Sequence, residues 1–305
     1  MKKTILITGG SGLIGKSLTE LLLQSGYEVF HLSRNHRAIP GVKVFRWAPE
    51  ENEIDTACIQ GVQAIVHLAG ENIGARPWTN DRKKKIIESR TQSIRLIYNL
   101  LEKHPEHQVQ SVISASAVGI YGDRGDEILT ETSSPGSDFL AITCKEWERA
   151  VDEAKGLRVV KLRTGVVLSN AASALQKMDK PVKLGMGSSL GSGKQWMPWI
   201  HLDDITALYL FALENETLTG AFNAATSNPL TNIDLTRAIA SHLNKSLWAP
   251  AVPAFILRVI LGHMSAIVLN STKTSNGKIK EAGFRFKFDT IDQALKNIYA
   301  GEKSS

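Results

Sequence analysis

Residues 8–15 read TGGSGLIG, with Gly9, Gly12 and Gly15 spaced three apart. They follow the apolar run KKTILIT and precede a stretch with helical apolar spacing at Leu18, Leu21 and Leu22. A strand, a glycine turn and a helix in that order suit an anion. One glycine permits the tight turn, one lets the backbone approach a pyrophosphate, and one lets helix and strand pack closely. Gly10, Ser11, Leu13 and Ile14 complete the cradle, because free amides at a helix N-terminus face the anion. The spacing therefore predicts a dinucleotide site.

The end of the second apolar run, EVFHLS, selects the dinucleotide. A site for NAD places Asp or Glu about 20 residues past the glycines, on the ribose 2′-hydroxyl. Here the chain has Ser33, Arg34, Asn35 and Arg37, with no carboxylate. Ser33, Arg34 and Arg37 are candidates for a 2′-phosphate, which a guanidinium pairs bidentately. NADP(H) is expected ahead of NAD(H).

With those motifs the chain resembles the extended branch of the short-chain dehydrogenase/reductase superfamily. TGGSGLIG is similar to its glycine fingerprint, and HLAG at 67–70 to its fourth-strand motif. SASAVGIYG at 114–122 resembles its serine-bearing strand, and LRTGVVLS at 161–168 its nicotinamide-side loop. GENIGARPW, SRT, GSGKQWMPWIHLDD and a segment ending in EAGFRF narrow the resemblance to the "epimerase family" of NAD(P)-dependent nucleotide-sugar epimerase-like proteins. Members carry a small C-terminal domain of unknown function, matched here from about Ala249 to Tyr299. The resemblance implies that Leu68, Ala69, Gly70, Ser114, Arg163, Thr164, Gly165 and Val166 line the cofactor.

Superfamily enzymes that move a hydride use a Ser or Thr, a Tyr acid/base and a Lys four residues later, which lowers the phenol's pKa and holds the nicotinamide ribose. The resemblance places that lysine at Lys145, but Ala141 stands where the phenol belongs. The catalytic serine position of the superfamily falls at Ser116 or, one register on, at Ala117, which would supply no hydroxyl; Ser116 is favoured. Tyr121 is a substitute phenol or a structural residue. A water held by Lys145 and Ser116, or the substrate itself, are the other proton sources. A tyrosine introduced at 141 is expected within reach of Ser116. Cys144 reads as a small buried residue. For a substrate, Arg76 and Trp78 lie after the fourth strand, Arg90 on the next helix, and Lys194, Trp196 and Trp199 in a glycine-rich loop. Cations beside indoles suit a phosphate-bearing ring. His201 and Asp204 read as loop-fixing and helix-capping residues.

These residues need a frame. EVFHLS, VKVFRW, AIVHLA, SVISAS and LRVVKLR alternate with helical patterns, which predicts an α/β, doubly wound parallel Rossmann sheet. After Leu168 the pattern loosens into a smaller, irregular, mostly helical substrate domain. The Rossmann unit is expected over 1–168 plus about 200–228, and the cap over 169–199 plus about 229–305. Helices in 249–299 are expected to bury Phe255, Ile256, Leu257, Ile260 and Leu261, and the 265–269 stretch to be covered within the chain or at a dimer interface.

The 305 residues allow a sizeable core, and a net charge of +6 fits a small, anionic substrate. No nucleic-acid partner, no membrane partner and no metal is expected: no such motif or cluster is read, and Pro253, Arg258, Gly262 and His263 interrupt the apolar run at 251–269. Two cysteines make no disulfide framework, so a reducing cytoplasm is the expected compartment; a monomer or homodimer is expected. The functional expectation is an oxidoreductase or epimerase on a nucleotide-linked or phosphorylated sugar. The alternative is an NADPH-binding sensor or scaffold with little turnover.

Overall fold

The computed structural model describes residues 3–35, 38–171 and 174–302. Eight strands form the central sheet: β1 (Thr4–Thr8), β2 (Glu28–Ser33), β3 (Val42–Ala48), β4 (Glu53–Ile54), β5 (Val62–His67), β6 (Ser111–Ala117), β7 (Arg158–Thr164) and β8 (Gly220–Ala224). Their order is β8-β7-β6-β5-β1-β2-β3-β4, with every pair parallel except β3 and β4. The chain leaves β1 for β2 on one side and reaches β5 on the other, so the crevice where the order reverses opens at the carboxyl ends of β1 and β5.

The apolar runs are continuous because both faces are covered. Ile5, Ile7, Ala64 and Val66 pack towards α1 (Leu13–Gln24), beside Leu18 and Leu22. Leu6 and Ile65 point the other way, towards Ile94, Ile97 and Leu101 of α2 (Asn80–Lys103) and Trp147 and Val151 of α3 (Phe139–Val151). Side chains alternate across a strand, so one run feeds two cores.

The second lobe begins with α4 (Ala174–Lys183). The run WIHLDDITALYLFAL contributes a short strand, Trp199–His201, beside Val166–Leu168, and then α5 (Leu202–Glu214), which packs with α1. Asp203 N donates to His201 Nδ1 at 3.1 Å, so His201 caps α5. Asp204 accepts from the backbone N–H of Lys287 and Phe288 at 2.8 and 2.9 Å, pinning the C-terminal segment. After β8 come α6 (Asn232–His242), α7 (Ala254–Leu261), α8 (Ala266–Leu269), α9 (Gly277–Glu281) and α10 (Ile291–Glu302). Leu168, Leu175, Trp199, Leu235, Phe288 and Leu295 form the core of this lobe, while Ile279 and Phe284 join the sheet's own core.

The expected burial of the C-terminal helices needs correction. In α7 only Leu257 is buried; Phe255 and Ile260 face solvent, and Ile256 and Leu261 are half-covered. The helix rests on the lobe along one narrow edge, because eight residues offer only two turns and their apolar side chains surround the axis.

Candidate active site

The turn after β1 is built without side chains. Gly9 has φ +70°, and a Cβ there would lie 2.8 Å from the carbonyl carbon of Leu68. One on Gly15 would lie 2.6 Å from Gly10 Cα. Gly12 donates its amide to Gly9 O at 3.0 Å and opens α1 with no side-chain cap, which leaves first-turn amides free for an anion. Thr8 Oγ1 accepts from the amides of Leu68 and Ala69, both at 3.1 Å, and so locks the ends of β1 and β5 together.

Gly10 has a different reason. A Cβ there would run into the His31 ring on β2. Thr19 Oγ1 donates to Gly15 O at 2.7 Å, so in its 2.8 Å bond with His31 Nε2 it accepts. Burial pushes His31 down to about 4, and the floor of the cradle is neutral at pH 7. His31 was not among the expected site residues. A histidine inside the apolar run EVFHLS was the available signal.

Arg34 follows β2 with its side chain 70% exposed, and its Nη1 lies 3.9 Å from Glu71 Oε1 on the loop after β5. Arg82 Nη1 holds the other Glu71 oxygen at 2.7 Å, and that bond keeps the carboxyl below the usual carboxylate range. Ser33 Oγ bonds Asn35 O at 2.9 Å and shapes this turn. Arg37 lies outside the described residues.

The hydroxyls expected at the reacting centre are turned inward, which corrects their expected roles. Ser116 is buried and donates to Glu148 Oε1 at 2.6 Å. Glu148 takes two bonds from Arg163, Nε at 2.8 Å and Nη2 at 2.9 Å. Burial alone would raise Glu148, but the Arg163 and Ser116 bonds outweigh it and hold the carboxyl low. Arg163 Nη1 reaches Tyr121 Oη and Glu131 O, both at 3.0 Å. Tyr121, fully buried, donates to Asn223 Oδ1 at 2.7 Å, and Asn223 Nδ2 bonds Ser275 O at 2.8 Å. Tyr121 is thus a structural phenol, and Arg163 is an interior cation instead of a cofactor ligand. Ser114 Oγ bonds Ala115 O at 2.9 Å and faces His67 Nδ1 at 3.3 Å, again inside the sheet.

On α3, Lys145 is exposed and Ala141 has no exposed surface at all. A phenol at 141 would therefore have to displace its neighbours, and Ser116 is already bonded elsewhere. Cys144 is buried, and burial pushes its thiol up to about 12, so it is no nucleophile at neutral pH. Thr164, Gly165 and Val166 run beside Pro198: Val166 N donates to Pro198 O at 2.8 Å, and a Cβ on Gly165 would lie 2.6 Å from that oxygen.

Several substrate candidates also serve the frame. Trp78 is buried, bonds Ile73 O at 2.8 Å and meets the Phe139 ring edge-on. Trp199 lies in the core of the second lobe and bonds Asn228 O at 3.1 Å. Arg90 donates to Ile86 O and Glu71 O at 2.8 and 3.0 Å and lies over the Trp147 ring. Trp196 bonds Asp126 Oδ1 at 2.7 Å beneath Lys273. Arg76 and Lys194 are exposed. A concavity of about 450 Å³ opens at the N-terminus of α3 between Tyr121, Arg124, Gly136, Asp138 and Asn270. Asn270 Nδ2 donates to Asp138 Oδ2 at 2.6 Å, so the C-terminal segment forms one wall.

The cradle and sheet order match a known family. Residues 5–225 fit the NAD dependent epimerase/dehydratase family, and residues 252–298 fit a domain of unknown function, DUF1731. The chain belongs to the NAD-dependent epimerase/dehydratase family. It is 34% identical over 306 residues to the chloroplastic epimerase family protein SDR39U1 homolog of Arabidopsis thaliana, covering 97% of this chain and 86% of that protein. It is 34% identical to epimerase family protein YfhF of Bacillus subtilis, covering 98% and 99%. The crystal structure of human epimerase family protein SDR39U1 with NADPH superposes with a TM-score of 0.87 at 29% identity, covering 97% of this chain and 99% of that one. A dTDP-glucose 4,6-dehydratase from Bacillus anthracis in complex with NAD shares the fold, with a TM-score of 0.77 at 17% identity over 99% and 97%.

Proposed function

We propose that this chain is an NADPH-binding oxidoreductase or epimerase that acts, slowly, on a nucleotide-linked or phosphorylated sugar. The observation that carries the reading is the glycine cradle before an uncapped helix, with Arg34 and no carboxylate at the end of β2. The missing side chains at Gly9, Gly10 and Gly15 let the turn close against Leu68, His31 and the start of α1, and the uncapped α1 amides would hold a pyrophosphate. Arg34 would take the 2′-phosphate, and the human relative's complex with NADPH supports the same choice. Lys145 would hold the nicotinamide ribose. The bound nicotinamide would supply a hydride. Arg76 and Lys194 are free to draw an anionic substrate towards the crevice.

Slow turnover follows from the proton. A positioned acid or base contributes about 10²–10⁴ in rate, and neither Ser116 nor Tyr121 is open to substrate. The same observation favours a second reading, an NADPH sensor or scaffold without turnover. The protein loaded with NADPH or with NADP+ and given a panel of sugar nucleotides and sugar phosphates separates the two: net cofactor oxidation or reduction, or an epimerised sugar, with any member supports the enzyme, and neither with any member supports the sensor.

The cofactor choice has its own test. NADPH should bind tighter than NADH by roughly 1–2 kcal/mol, the lower range for a charged hydrogen bond because Arg34 stays largely in water. Arg34→Ala should remove most of that difference, and Lys145→Ala should weaken both cofactors alike. Equal dissociation constants for the two cofactors in the wild type would refute the assignment.

A further inference from the structure

The second lobe carries an apolar strip that nothing among the described residues covers. On and beside α7, Trp248, Phe255, Val259 and Ile260 are 74, 66, 81 and 72% exposed. Leu184 and Met186, just past α4, are exposed as well. The two segments run side by side: Ser188 Oγ donates to Pro250 O at 2.8 Å, Val252 N to Ser189 O at 2.9 Å, and Gly191 N to Val252 O at 2.8 Å. The two aromatic rings alone present on the order of 250 Å², and the whole strip exceeds what a monomer ordinarily leaves in water.

Charge selects the occupant. Neither residues 180–191 nor residues 243–276 contain an aspartate or glutamate. They do contain Lys180, Lys183 (which also pairs with buried Asp179), Lys245, Arg258 and Lys273. A two-fold contact lays a patch on its own copy, so these cations would meet cations with no acid among them to pair. An anionic lipid surface meets both features at once: headgroups attract the cations, and the acyl boundary accepts the indole, the phenyl ring and the aliphatic side chains. Among the described residues no helix is long and apolar enough to cross a membrane, so the contact is shallow.

We propose that the α7 face docks on anionic lipid bilayers, with Trp248, Phe255, Val259 and Ile260 entering the interface and Lys245 and Arg258 at the headgroups. This docking is independent of the cofactor reading. It is tested on the full chain by co-sedimentation with vesicles of phosphatidylglycerol mixed into phosphatidylcholine, against phosphatidylcholine alone. Binding is expected only with phosphatidylglycerol, and it should fall as salt rises. Phe255→Glu with Val259→Glu should weaken it at least about tenfold, and Arg258→Gln about fivefold. A blue shift in tryptophan emission on binding should disappear in Trp248→Phe. All these side chains are exposed, so the variants should unfold at the wild-type temperature. Failure to bind phosphatidylglycerol vesicles overturns the proposal, as does equal binding by the Phe255→Glu, Val259→Glu variant. A wild-type dimer in sedimentation velocity that this variant dissolves overturns it too, and assigns the face to a second copy.

Discussion

Glu148→Ala is expected to cost about 3–5 kcal/mol of folding stability, the range for a buried ion pair stripped of one partner. Arg163 is buried and donates four hydrogen bonds from one fixed position, two to Glu148, one to Tyr121 and one to Glu131 O. Without Glu148 its charge has no anion within bonding distance among the described residues, and Ser116 loses the acceptor of its 2.6 Å bond. Glu148→Gln keeps an acceptor and should cost less. The double change Glu148→Leu, Arg163→Met removes both charges and should recover part of the loss, because an apolar pair no longer needs desolvated charge to be matched. Denaturant unfolding of the four proteins measures this directly. A loss below about 1 kcal/mol for Glu148→Ala would mean that Arg163 finds water or another anion, and that Glu148 does not tie α3 to β6 and β7. Tyr121→Phe, which removes the bond to Asn223 and the one accepted from Arg163, should cost about 1–3 kcal/mol.

That cluster also marks where reading the sequence stops. The glycine cradle was legible because its constraint is local: Gly9, Gly12 and Gly15 shape the backbone within eight residues of one another. The order of strands and helices was legible because both faces of the sheet are buried, which leaves apolar runs between helical patterns. β8, with the sequence GAFNA, went unread, since five small and mixed residues carry no such run. Ser116 and Tyr121 were read as candidates for the reacting centre and Arg163 as lining the cofactor, but the sequence did not show that they share one buried cluster. Their partners lie far along the chain, Glu148 32 residues from Ser116 and Asn223 102 residues from Tyr121. No spacing rule tells which face of the sheet a hydroxyl takes when its acceptor is so distant. Trp78 and Trp199 were misread for a related reason, because an indole is as suited to a core with one bonded N–H as to a ligand. For α7 the residue types were read correctly, but apolarity alone does not say whether anything covers the face.

Acid should destabilise this protein well before its carboxylates titrate. His31 is pushed down to about 4 by burial, and His67, fully enclosed and near Arg90, to about 3. The unfolded chain binds a proton at each near pH 6.5, while the folded chain does not until pH 3–4. Between those limits the unfolded state holds more protons, so stability falls as pH falls. Above pH 6.5 both states are neutral at these sites and the loss vanishes. At pH 5 each imidazole accounts for about 2 kcal/mol, so the pair lowers stability by roughly 4 kcal/mol relative to pH 7.5. His201, also lowered by burial, acts in the same direction. Glu71 and Glu148 are held low by their arginines and add their own loss only as pH nears the ordinary glutamate range. The window from pH 6.5 to 5 therefore belongs to the histidines. Denaturant midpoints at pH 7.5, 6.5 and 5 should trace it, and His31→Gln should remove about 2 kcal/mol of the loss at pH 5. A midpoint that does not move between pH 7.5 and 5 would show that both imidazoles gain compensating partners on protonation. Because the His31 ring lies directly beneath Gly10, the same proton also puts charge under the glycine cradle, and anion binding there should report the titration alongside the loss of fold.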